Sequence, residues 1–147
     1  LIYEVMNEQH IPQLAKLYVD AFNAPPWNDR WTVETVTKRL LQMVHCDGFY
    51  GLVSYENNKV CGMILGNHEV FYDCMQFNIK EFCVCSKMRG TGIGSTLLKE
   101  FEKRLLERGI DEIYLITSRT QQTETFYQRK GYRSCNDMVR MDKEICK

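Results

Sequence analysis

Arg89-Gly90-Thr91-Gly92-Ile93-Gly94-Ser95 joins a strand-like run, Asn78 to Cys85, to a helix-like run, Ser95 to Arg108. Glycine has no Cβ, so it lets the backbone turn sharply and lets a ligand approach it closely. Where a helix follows at once, its first amide N–H groups have no partner inside the helix and point outward. Together with the helix dipole they attract anions, by ~0.3 to 1 kcal/mol when exposed and up to about 2 kcal/mol when partly buried. The stretch reads as a phosphate cradle. The alternative is a glycine-rich turn with no ligand, and the flanking sequence decides between the two.

The loop ends Gly92-Ile93-Gly94-Ser95, without the lysine that reaches a terminal phosphate in a P-loop, which excludes ordinary ATP chemistry. Its glycines are spaced G-x-G-x-G rather than G-x-G-x-x-G, and Asp111 and Glu112 precede the next strand instead of ending it. Nicotinamide binding is therefore not expected. Arg89, Gly92 and Gly94 do match Q/R-x-x-G-x-G/A between a strand and a helix, and this resembles the coenzyme A pyrophosphate loop of the GCN5-related N-acetyltransferase (GNAT) family. Downstream, Phe126-Tyr127-Gln128-Arg129-Lys130-Gly131-Tyr132 resembles a second motif of that family, F-Y-x-x-x-G-Y/F at the end of a helix. Two motifs in this order, with a helix and a strand between them, are far more specific than either alone.

The rest of the chain fits one domain over residues 1–147, long enough to bury about two thirds of its unfolded surface. Ile2 to Val5 reads as a strand, and Pro12 to Phe22 as a helix with Leu14, Leu17, Tyr18, Ala21 and Phe22 on its core face. A second helix starts near Thr32, which can cap the N–H of Thr35, and carries Val36, Leu40, Met43 and Val44. Phe49 to Tyr55 and Val60 to Leu65 form a hairpin about Glu56-Asn57-Asn58-Lys59. After His68 to Phe71 the chain turns at Tyr72-Asp73, and Phe77 to Cys85 is a long strand leading into the loop. Then come a helix ended by Gly109, a buried strand Ile113 to Thr117, a short helix Thr123 to Lys130 and a final strand Met138 to Lys143. This order is similar to the GNAT fold over essentially the whole chain. The resemblance implies an α/β (α+β) fold with a mixed, mostly antiparallel sheet, splayed between the fourth and fifth strands and flanked by about four helices.

Composition narrows the function. Lys and Arg total 19 against 19 Asp and Glu, a balance that gives no footprint for nucleic acid. Seven cysteines contain no C-x-x-C pair, and His10, His45 and His68 sit at no zinc spacing, so neither a disulfide framework nor a metal site is expected. Cys83 and Cys85 read as small buried hydrophobes of a reducing cytosol, with a nucleophilic thiol as the alternative. No apolar run reaches the ~18 residues of a membrane span and no signal pattern opens the chain, so a cytoplasmic protein without membrane partners is expected.

The resemblance further implies acetyl-CoA as donor, its pantetheine arm lying in the splay against the backbone of Phe82, Cys83 and Val84 and its pyrophosphate on the amides of Gly90, Thr91, Gly92, Ile93, Gly94 and Ser95, with Arg89 beside them. Tyr127 would protonate the departing thiolate; its other reading is aromatic packing. Thr120 stands where the family often has an asparagine seven residues before that tyrosine, so its contact with the cofactor arm is an open point and helix capping is its other role. Amine acetylation needs a base, and Glu81, just upstream of the pantetheine segment, is the candidate. It reads equally as a solvated or salt-bridged strand residue or an acceptor-binding anion. Leu115 stands where fifth-strand bases occur in the family.

The acceptor pocket of the family is built from the first two helices and the third-to-fourth strand turn. Here these supply Phe22, Trp27, Asp29 and Trp31, then Tyr72 and Asp73, aromatic walls and carboxylates suited to a cationic amine. The tryptophans read equally as core plugs under the turn at Pro25-Pro26. Pro-Trp-Asn-Asp-x-Trp locally resembles aminoglycoside 6′-N-acetyltransferase-like members. The expected function is acetyl transfer to a primary amine of a small molecule, aminoglycoside-like or polyamine-like, in a direct ternary complex. A protein N-terminal or lysine acetyltransferase and a non-catalytic acyl-CoA binding module are the alternatives; the sequence does not fix the oligomeric state, and pairing through the carboxyl-terminal strands is a plausible mode for a homodimer.

Overall fold

Apolar residues recurring every three to four positions make helices of Ile11–Phe22 (α1) and Val33–Val44 (α2), burying Leu14, Leu17, Tyr18 and Ala21 of the first and Val36 and Leu40 of the second. Thr32 starts α2 through a reciprocal capping box. Its hydroxyl accepts from the Thr35 N–H at 3.1 Å, and the Thr35 hydroxyl accepts from the Thr32 N–H at 2.9 Å. The computed structural model describes residues 1–146 and divides into two compact units, 1–116 and the residues from Thr117 onward.

The first unit holds a five-stranded sheet in the order of the chain, Ile2–Val5 (β1), Phe49–Glu56 (β2), Lys59–Val70 (β3), Met75–Val84 (β4) and Glu112–Leu115 (β5). The first four strands are antiparallel and β5 runs parallel to β4. The turn between β2 and β3 is made by Asn57 and Asn58, both with positive φ (51° and 62°), a conformation asparagine tolerates and one that suits the twist of a hairpin. β3 runs further than its apolar core predicts. Polar His68 and Glu69 continue it, because β4 pairs with it from Val84 opposite Gly62 down to Met75 opposite Val70.

One face of this sheet carries α1 and α2, packed with Val53, Met63, Leu65 and Cys83. The other carries Ile93–Glu107 (α3), whose Leu97, Leu98, Phe101 and Leu105 are buried. A Cβ on Gly62 would meet the Leu97 side chain at 3.0 Å, so glycine there sets how close α3 comes to β3. Each large side chain buried this way contributes roughly 1.5–3 kcal/mol. Among the described residues no helix is long and apolar enough to cross a membrane.

In the second unit Thr120 caps Gln121–Arg129 (α4), its hydroxyl accepting the Thr123 N–H at 3.2 Å. The expected final strand, Met138 to Lys143, is not formed; residues 138–146 adopt neither helix nor strand. Met138, Val139 and Met141 are 72%, 82% and 85% exposed. A strand needs a neighbouring ladder for its backbone groups, and among the described residues this unit contains no other strand to provide one.

Candidate active site

The fold opens its sheet at one place. β5 pairs with β4 only from Gln76 opposite Glu112 to Ile79 opposite Leu115. At the next residue the ladder with β3 shifts, Leu65 facing Glu81 while Gly66 faces Ile79, so Lys80 is the extra residue of a β-bulge. Bulges bend a strand and end its pairing, and β4 beyond the bulge keeps β3 on one side and, among the described residues, no strand on the other. Gly66 makes the bend fit, because a Cβ there would lie 1.8 Å from the Asn78 carbonyl oxygen. Phe82, Cys83 and Val84 follow on this open-edged segment, opposite Ile64, Met63 and Gly62 of β3. Cys83 is buried, which pushes its thiol well above the usual range and keeps it from acting as a thiolate.

The segment leads through a short 3-10 turn, Ser86–Met88, into the glycine loop. Gly90 and Gly92 have φ of 81° and 85°, and Gly92 is the N-cap of α3. Lacking a side chain, Gly92 leaves the helix without a cap bond, and the first helical bond runs from the Thr96 N–H to the Gly92 carbonyl. The N–H groups of Ile93, Gly94 and Ser95 precede it and have no acceptor within the helix. A Cβ on Gly90 or Gly92 would meet nothing within 4 Å, so backbone conformation and not crowding requires glycine there. An open strand edge of the kind that can pair an extended, amide-bearing chain therefore runs into a helix start of the kind that can hold an anion. These residues fit a phosphate-bearing cofactor with a peptide-like arm.

Arg89 is turned away from these amides. Its Nη2 donates to the Ala21 carbonyl at 3.1 Å and its Nη1 approaches the Pro25 carbonyl at 3.4 Å, and the guanidinium lies 5.3 Å from the Trp27 ring centre. A cation on the last carbonyls of a helix is favoured by the dipole, so Arg89 ties the loop to the end of α1.

Glu81 is 6% exposed and is not a solvated residue. Arg39, on α2, donates from Nε and Nη2 to its Oε1, both at 2.7 Å, and the Tyr18 hydroxyl bonds the same carboxylate. Burial raises the Glu81 carboxyl, Arg39 opposes that, and the net direction is upward. Burial also raises the Tyr18 phenol, with the Glu81 charge adding to it, so this hydroxyl stays a donor.

The residues expected to wall the acceptor divide. Tyr18, Phe22, Trp27 and Trp31 form one aromatic cluster, with ring centres 4.6 Å apart for Tyr18 and Phe22 and 5.2 Å for both Tyr18–Trp31 and Phe22–Trp27. Asp29 accepts from the Trp31 indole N–H at 3.0 Å. Both tryptophan faces already carry a cation of the protein, Arg89 at Trp27 and Arg39 at Trp31. Tyr72 and Asp73 lie exposed at the tip of the β3–β4 turn, where Tyr72 packs on Phe71 and Asp73 bonds the Cys74 thiol. In the second unit the Tyr127 ring meets those of Phe126 at 5.2 Å and Tyr132 at 5.6 Å, and burial pushes its phenol up to about 12. The Thr120 hydroxyl is engaged with Thr123.

Sequence reasoning missed Arg39, Tyr18 as a polar participant, and Gly66. Tyr18 on a core stripe was a usable signal, since a buried phenol needs a partner. So was Gly66, an isolated glycine inside a strand.

The Acetyltransferase (GNAT) domain family model matches residues 6–145, through both units. Solved structures share the fold. A GNAT family acetyltransferase of Staphylococcus aureus is 23% identical with a TM-score of 0.73, covering 98% of each chain. An aminoglycoside acetyltransferase from an uncultured soil metagenomic sample, in complex with sisomicin, is 18% identical with a TM-score of 0.72, covering 99% of this chain and 96% of that one. The ribosomal-protein-alanine N-acetyltransferase of Brucella melitensis biovar Abortus 2308 is 11% identical with a TM-score of 0.76, covering 98% of this chain and all of the other. With the split sheet and the glycine-led helix in place, the match over nearly its whole length makes this chain a member of the GNAT acetyltransferase family.

Proposed function

We propose that the chain transfers the acetyl group of acetyl-CoA to a primary amine of a small molecule, directly in a ternary complex. The supporting observation is the open edge of β4, released from β5 at the bulge and running into the uncapped start of α3. The backbone of Phe82, Cys83 and Val84 would hold the pantetheine arm, and the N–H groups of the Gly90 to Ser95 loop the pyrophosphate. Bound acetyl-CoA supplies an activated thioester. The chain's own residues then handle two protons, one leaving the amine and one reaching the departing sulfur. Glu81 takes the first, since burial raises its carboxyl and makes it a better base near neutrality than an exposed one. The two compact units act together in this reading, as one acetyltransferase domain.

The deciding experiment is a panel of amines assayed for free thiol release from acetyl-CoA. Release with small primary amines is expected. Release only with peptides bearing a free N-terminus or lysine would move the acceptor to proteins, and binding of coenzyme A without release for any amine would reduce the chain to a cofactor-binding module.

The loop is tested separately. Gly92→Val forces a β-branched residue into a left-handed conformation and puts its side chain before the N–H groups of α3. Coenzyme A affinity measured by calorimetry should fall by at least about tenfold, the loss of roughly 1.4 kcal/mol. Unchanged affinity would remove the loop from the cofactor site. Arg89→Gln should weaken binding less, because its guanidinium holds α1 carbonyls.

Tyr127 would give its Oη proton to the sulfur. A phenol near 12 is roughly 3.5 units above a free thiol at ~8.5, about 5 kcal/mol uphill, so the transfer has to accompany cleavage of the carbon–sulfur bond. Tyr127→Phe should lower turnover by ~10² with the acetyl-CoA KM nearly unchanged. A donor with a more acidic thiol should recover part of that loss. Equal turnover in the variant and the parent, with chemistry limiting, would leave Tyr127 a packing residue.

A further inference from the structure

Glu81 needs a counter-ion whenever it is ionised, since a lone carboxylate at 6% exposure is strongly disfavoured. Arg39 provides it. The positive charge sits among the Glu81 carboxylate, the Tyr18 hydroxyl and the Trp31 face, whose centre is 5.5 Å from the guanidinium carbon. A carboxylate, a hydroxyl and an aromatic face around one charge make a seat for a cation. The seat belongs to the frame of the first unit, with Glu81 on β4, Tyr18 on α1 and Trp31 just ahead of α2. Its occupant does not belong to that frame in the same way. The Arg39 side chain is 41% exposed, reaches in from α2 on a flexible stem, and can withdraw into water without unpacking the core stripe of Val36 and Leu40 beside it.

We infer that Arg39 is the resting counter-ion of the acceptor site: in the free protein it fills the seat that the ammonium group of the acceptor takes when it displaces Arg39 to solvent. This rests on the acetyl-transfer reading and specifies its substrate class. The acceptor is an unhindered aliphatic amine that arrives protonated; an arylamine, neutral in solution, has no charge to exchange. The exchange keeps Glu81 neutralised throughout. It also frees Glu81 to work as a base. Arg39 does not give up a proton, whereas a seated ammonium does: its N–H bond breaks, an O–H bond forms on the carboxylate, and a neutral amine with its lone pair faces a neutral carboxyl group.

Two measurements on the full chain test this, with methylguanidinium chloride as the probe for the first. Followed by tryptophan fluorescence, Arg39→Ala should bind methylguanidinium saturably and at least about tenfold more tightly than the parent, where a resident cation competes. Arg39→Ala combined with Glu81→Gln should not bind it. In turnover assays with the best amine of the panel, Arg39→Lys keeps a counter-ion but loses the forked hold, and should lower the acceptor KM by about threefold. A guanidinium that itself contacts the acceptor would raise that KM instead. Equal methylguanidinium affinity in parent and variant, no saturable binding in either, or an unchanged or raised acceptor KM in Arg39→Lys overturns the inference. If Arg39→Ala does not fold, the Arg39→Lys KM alone decides. If no amine is acetylated, the methylguanidinium measurement still decides, so failure of the acetyl-transfer reading is told apart from failure of the seat.

Discussion

Gly66→Ala should lower the thermal midpoint by roughly 6–12 °C and abolish measurable coenzyme A binding in the protein that remains folded. The added Cβ would lie 1.8 Å from the Asn78 carbonyl oxygen, 2.8 Å from its carbon and 2.9 Å from the Phe77 ring. Two of these three atoms are backbone, so no rotamer change relieves the clash, and β4 itself has to move. Overpacking costs about 1–3 kcal/mol, and a backbone obstruction belongs at the upper end. In a chain of this size each kcal/mol is worth roughly 2–4 °C. The binding loss has a separate cause. Gly66 faces Ile79, the last β4 residue that pairs with β5, and the bulge at Lys80 is where the two strands part. Moving β4 there alters the edge proposed for the cofactor arm. Gly109→Ala, outside the loop, is the control, since its Cβ would meet nothing within 4 Å and only the φ of 84° is strained. An unchanged midpoint together with unchanged affinity would mean that the bulge is not what holds the strands apart.

What the sequence made legible was local. Glycine spacing and the strand before it located the loop, and the apolar stripes located α1, α2 and α3, because both signals live within a few residues of one another. Glu81 stands out by its place just upstream of the strand segment that the resemblance gives to the pantetheine arm, yet its partner does not, since Arg39 lies 42 residues away and next to a core position on α2 where a charge ordinarily faces water. The tryptophans read equally as walls for a substrate cation and as core plugs. Their composition was right for a cation, but the sequence could not say that Arg39 and Arg89 fill both faces, because Trp27 and Trp31 meet those residues only when α1, α2 and the loop are assembled. The final strand failed for the opposite reason. Met138 to Lys143 has an apolar content that suits a strand, and pairing, which is not a local property, decided against it.

Glu81→Gln should lower turnover at neutral pH by ~10² or more while leaving coenzyme A affinity unchanged, because the amide keeps the shape of the side chain and loses its charge and its ability to take a proton. The pH profile carries the sharper information. Burial lifts the Glu81 carboxyl above its ordinary value, so the parent's rate should rise with pH through that elevated range as the carboxylate forms. The variant has no such limb, and its rate should follow the amine's own ionisation at higher pH. Stability moves in a direction that keeps the experiment readable. A carboxyl whose pKa is raised by folding contributes stability below the unfolded value and loses it as pH rises through the folded one. Glutamine removes that loss, and Arg39, already 41% exposed, can carry its charge into water. The variant should therefore be folded at neutral pH, with a midpoint that depends less on pH than the parent's. Should turnover and pH profile both match the parent in a folded variant, Glu81 holds Arg39 and the α2 face in place, and water in the cleft accepts the proton.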